Sequence, residues 1–106
     1  MNKKDFFEQL KRINAYDQQD EFDNLLASLK HNICQNMRIA RKLSNMGPDQ
    51  AAELLKLEPQ SLRRIEAEND RDEFSTRVLI LAIMIYEPDA NFYFKKWQEN
   101  ELLLTK

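Results

Sequence analysis

One glycine, Gly47, and three prolines, Pro48, Pro59 and Pro88, are all that 106 residues contain. An all-β sandwich or barrel needs a turn roughly every 8–12 residues, and so few turn formers cannot supply them. A lone cysteine, Cys34, excludes an internal disulfide framework and a cysteine-rich zinc site. A lone histidine, His31, excludes a histidine-based metal cluster. The longest apolar run, Val78 to Tyr86, falls far short of the roughly 20 residues that span a bilayer. No membrane partner is expected. The opening residues, Met1-Asn2-Lys3-Lys4-Asp5-Phe6, carry no apolar h-region, so the expected location is the reduced cytoplasm.

An excess of positive charge is missing as well. Sixteen Lys and Arg stand against 18 Asp and Glu, for a net charge of -2. Wholesale attraction to nucleic acid or acidic membranes is therefore not written in the total charge. With 42% hydrophobic and 32% charged residues, the mix is that of a globular protein. The length accommodates one domain, 1–106.

Apolar residues recur at steps of three and four almost throughout, which predicts helices. Phe6, Phe7, Leu10 and Ile13 mark a first helix, interrupted near Asp17-Gln18-Gln19-Asp20. Phe22, Leu25, Leu26, Leu29, Ile33, Met37 and Ala40 predict one long amphipathic helix from Asp20 to Leu43. Pro48 and Pro59 each follow a break and suit a first helical turn, where the missing N–H costs nothing. Two short helices follow, one with Ala51, Ala52, Leu54 and Leu55 inward, the next with Leu62 and Ile65 inward. Asn69 to Glu73 reads as a charged loop. Ser75 to Tyr86 predicts the most hydrophobic helix, with Val78, Leu79, Leu81, Ala82 and Ile85 as core candidates. Phe92, Tyr93, Phe94 and Trp97 then open an aromatic final helix.

Two short helices joined by a tight turn inside a helical bundle outline a helix-turn-helix. From Met37 to about Phe94, 58 of the 106 residues, the chain resembles the lambda-repressor-like family of bacterial and phage regulators, the XRE or Cro type. Arg38 and Arg41 precede the motif where that family has arginines. Ala52 stands at the small-residue crossing position, with Leu55 and Leu57 around the turn. Leu62, Ile65 and Glu66 match the recognition helix, and Leu81-Ala82 the helix after it. The resemblance implies an all-α bundle with an N-terminal helical extension (1–35), a helix-turn-helix core (36–91) and a C-terminal helix (92–106).

It also implies a sequence-specific, homodimeric regulator, in all expectation a repressor, that reads an operator in double-stranded DNA. Gln60, Ser61, Arg63 and Arg64 become the groove-facing residues, with Arg38, Arg41 and Lys56 near phosphates. Gln pairs bidentately with adenine and Arg with guanine, each pair discriminating by roughly 1–3 kcal/mol. Residues 36–66 carry six cations against four carboxylates, whereas 67–106 carry five against eight. Lys56 replaces the usual turn glycine, at a cost of roughly 1 kcal/mol if its backbone is left-handed. Pro48, Glu58 and Pro59 also replace family polar residues. The alternative is a helix-turn-helix fold turned to protein contact, an antitoxin-like or anti-regulator module with a protein partner. No nucleophile–base pair, phosphate loop or metal spacing is present, so a non-enzyme without cofactors is expected. Cys34 is expected to be buried and inert, and His31 to lie at the surface.

Overall fold

The stripes of apolar residues become helices in the computed structural model of the chain, which describes residues 3–13, 19–67 and 74–105. They are α1 (Lys3–Arg12), α2 (Gln19–Leu43), α3 (Pro48–Leu55), α4 (Pro59–Ala67), α5 (Thr76–Ile85) and α6 (Trp97–Glu101). Short 3-10 turns, Ala90–Phe94 and Leu102–Thr105, flank α6. No strand occurs among the described residues. Asp17 and Gln18 of the expected interruption, and the charged loop Asn69 to Glu73, lie outside them, whereas Gln19 and Asp20 already belong to α2.

The long α2 is the spine. Its buried stripe runs through Leu25, Ile33, Met37 and Ala40, as the spacing predicts. Ile33, Cys34, Met37, Ile39 and Ala40 meet Ala51, Ala52 and Leu55 of α3, Leu62 and Ile65 of α4, and Val78 and Ala82 of α5. Tyr86, Phe92 and Tyr93 close this core. Fully burying a leucine- or isoleucine-sized side chain contributes roughly 1.5–3 kcal/mol, so these contacts carry most of the fold. The 35/36 boundary between extension and core falls inside α2, and Ile33 and Cys34 belong to the core.

Three expectations need correction. Leu54 and Leu26, assigned to inner faces, are each 41% exposed. The aromatic tail is not one helix. Asp89 caps the 3-10 turn by accepting from the Asn91 N–H at 3.0 Å, and the chain becomes extended at Lys95. The reason is polar. The amide of Asn32 donates to the Lys95 carbonyl at 2.8 Å, and that of Asn36 to the carbonyls of Tyr93 and Lys95 at 3.0 and 2.8 Å. Side chains of α2 thus take carbonyls that a continuous helix would bond internally. The Asn32 carbonyl then accepts the Trp97 N–H at 3.0 Å, satisfying the first turn of α6. The Asn100 amide donates back to Asn36 Oδ1 and to the Phe92 backbone carbonyl, both at 2.9 Å.

Candidate nucleic-acid interface

The turn between α3 and α4 is built around Lys56, whose φ of 60° and ψ of 42° are left-handed. The Lys56 N–H donates to the Glu53 carbonyl at 3.2 Å and the Leu57 N–H to the Ala52 carbonyl at 2.9 Å. This is a Schellman closure, with Leu57 packing back on the core. Asn45, φ 57°, closes α2 the same way: its N–H donates to the Lys42 carbonyl and that of Met46 to the Arg41 carbonyl. Asparagine tolerates this backbone; lysine holds it at some strain. The side chain of Lys56 is exposed.

The inner side of α4 is fixed twice. Leu62 and Ile65 are fully buried. Beyond them, Glu66 receives both ends of the Arg41 guanidinium, Nε to Oε2 and Nη2 to Oε1, each at 2.9 Å. Arg41 Nη1 also donates to the Met46 carbonyl at 2.9 Å, so one side chain ties α2, the α2–α3 turn and α4. Both partners are 10% exposed, and the hydrogen bonds to Glu66 raise the Arg41 pKa above its ordinary value. The Gln35 amide adds a bond to the Glu66 carbonyl at 2.9 Å. Burial pushes the nearby Tyr86 hydroxyl up strongly, reinforced by the Glu66 charge. Among the described residues its oxygen is the buried side-chain polar atom that lacks a hydrogen-bond partner.

This arrangement redraws the expected phosphate contacts. Arg41 is turned inward, buried and bidentate with Glu66, because position 41 falls on the buried stripe four residues after Met37. It is a tie within the fold and not a surface clamp. Arg38 is largely covered and donates to Glu101 Oε1 at 2.9 Å and to Gln35 Oε1 at 3.1 Å.

The outer side of α4 carries Gln60, Arg63 and Arg64, all exposed, at the i, i+3, i+4 spacing of one face. Ser61 lies half-buried beside them. Arg63 approaches Asp49 of α3 at 3.3 Å in an exposed pair, an interaction worth about 0–1 kcal/mol and easily exchanged for another anion. Besides the internally paired Arg38 and Arg41, residues 36–66 hold the exposed cations Lys42, Lys56, Arg63 and Arg64 and the exposed carboxylates Asp49, Glu53 and Glu58. Among the described residues no group of three His, Cys, Asp or Glu side chains could hold a metal, and no helix is long and apolar enough to cross a membrane. His31 is half-buried and meets Trp97 edge to face, and Cys34 is fully buried.

Two features escaped the sequence reading. The Arg41–Glu66 tie joins residues that were each noticed separately, and its signal is an arginine on an apolar stripe. The Asn32–Asn36–Asn100 network has the same kind of signal, two asparagines four residues apart among the apolar positions of α2. No protein-family model, curated protein or solved structure matches this chain.

Proposed function

We propose that this protein is a sequence-specific DNA-binding regulator of the lambda-repressor-like type, acting as a homodimer that represses by occupying an operator. The observation that supports this reading is the two-sidedness of α4. Its inner face is held by Leu62, Ile65 and the Glu66 tie, while Gln60, Arg63 and Arg64 form a single solvent-facing row. A helix entering the major groove needs that combination: rigid support behind, and long hydrogen-bonding side chains in front. Lys56 stands beside the row as a phosphate-binding cation, and Ser61 can reach a phosphate oxygen. Arg38 and Arg41 are left out of the interface, since their guanidinium groups are engaged within the fold.

Replacing Arg63 and Arg64 together by alanine tests the face. Each bidentate guanine contact is worth about 1–3 kcal/mol, so specific affinity should fall at least tenfold while the helical content stays intact. Unchanged binding would remove α4 from the interface. Three exposed carboxylates around the turn, Asp49, Glu53 and Glu58, favour the second reading, a protein-interaction module. A co-purifying protein partner, with no DNA shift even at low salt, distinguishes it.

A further inference from the structure

We infer that α5 is the surface through which two copies of this chain pair, antiparallel about a two-fold axis. Val78 and Ala82 point into the core, yet the opposite side of the helix exposes Ile80 by 54% and Met84 by 78%. Met84 is the most exposed of the large apolar side chains described. These two residues are flanked by opposite charges: Arg77, exposed, in the first turn, and Glu87, exposed, just past the last.

The order of these residues is its own complement. Ile80 and Met84 lie on the helix at equal distances on either side of position 82; Arg77 and Glu87 are evenly spaced about it in sequence, with Glu87 just beyond the point where the chain turns extended at Tyr86. A dyad at that level sets Ile80 against the partner's Met84 and Arg77 against the partner's Glu87, twice over. Such isologous pairing is what a two-fold interface requires. An unrelated partner would need no such symmetry.

Each charge also sits at the wrong end of its own helix. Arg77 is next to the positive N-terminus of α5, and Glu87 next to the negative C-terminus, where each is disfavoured. Antiparallel pairing brings each beside both an opposite side chain and an opposite helix end. The backbone at Glu87 is held in place, because its N–H donates to Ser44 Oγ at 2.9 Å. A contact confined to a helix of 10 residues is small, so the expected dimer is concentration-dependent and salt-sensitive.

This surface supplies the homodimer of the proposed function, and it is tested without DNA. Sedimentation of the full chain should show a monomer–dimer equilibrium. Arg77→Glu and Glu87→Arg, each alone, should weaken it about tenfold or more by turning two attractions into two repulsions. An equimolar mixture of the two variants should restore association, and so should the double variant. Met84→Glu should abolish it, with circular dichroism verifying the fold of every variant. A wild type that stays monomeric at about 100 μM overturns the inference, since that corresponds to less than about 5–6 kcal/mol of association free energy. Dimerisation indifferent to these changes, or not restored by mixing, overturns it equally. A monomer that still selects specific DNA would overturn this surface and leave the DNA-binding reading standing.

Discussion

Arg41 and Glu66 show why a charged residue cannot be assigned to a surface from its type alone. Their bidentate pair, 10% exposed on both sides, satisfies two charges that burial would otherwise penalise heavily. Glu66→Ala leaves the guanidinium buried without its partner, and chemical denaturation should register a loss of about 3–5 kcal/mol. Tyr86 is the opposite case. Its buried hydroxyl makes no hydrogen bond, so Tyr86→Phe should raise stability by about 1 kcal/mol, whereas Tyr93→Phe sacrifices a bond to the Ala82 carbonyl at 3.3 Å and should lower it. Burial raises both phenols above their ordinary 10.0. A raised folded-state pKa means the contribution is complete below about pH 10 and drains away above it, as the unfolded chain ionises first. Denaturation midpoints should therefore fall above that pH, and less steeply in Tyr86→Phe. A flat alkaline profile would contradict the burial of these rings. At this scale the sequence marked apolar positions well and polar ones poorly: Arg41, Asn32 and Asn36 all lie on the apolar stripe of α2, where spacing places them inward and residue type suggests outward.

Elements were more legible than side chains. Steps of three and four placed α2 within one residue of its bounds at Gln19–Leu43, and Pro48 and Pro59 marked the first residues of α3 and α4. Lys56 adopts the left-handed turn that its position implied. The C-terminal segment reads as one helix in sequence because nothing in its own residues records the competition from α2. That competition is testable. Asn36→Ala removes the donor to the carbonyls of Tyr93 and Lys95 and the acceptor of Asn100. Both carbonyls keep a contact from the Asn32 amide, so the loss is that of the Asn36 bonds themselves, about 0.5–1.5 kcal/mol each, and hydrogen exchange should accelerate in residues 90–105 more than in α3 and α4. Equal acceleration everywhere would mean that the asparagines support the whole bundle and not this segment in particular. For the candidate site, the periodicity that put Leu62 and Ile65 inward also set Gln60, Ser61, Arg63 and Arg64 outward, and of these Ser61 is half-buried instead. The pairing that stiffens the helix behind them was invisible, since Arg41 and Glu66 stand 25 residues apart.

For the molecule as a whole, charge is the deciding quantity. A net charge of -2 gives no general pull toward DNA, and within residues 36–66 only Lys42, Lys56, Arg63 and Arg64 stay clear of the internal Arg38 and Arg41 pairs. On the proposed DNA-binding reading, so few cations per protomer imply a shallow salt dependence and weak binding by a single copy. Specificity would then have to come from base contacts made by two α4 helices on half-sites about one helical turn apart. The most direct test is to capture randomly sheared genomic DNA with the purified protein at about 150 mM salt, where nonspecific binding is suppressed, and to sequence what is retained. The account predicts a small set of fragments sharing an inverted repeat, lost in the Arg63→Ala, Arg64→Ala variant. Uniform recovery of all fragments, or none, would contradict it.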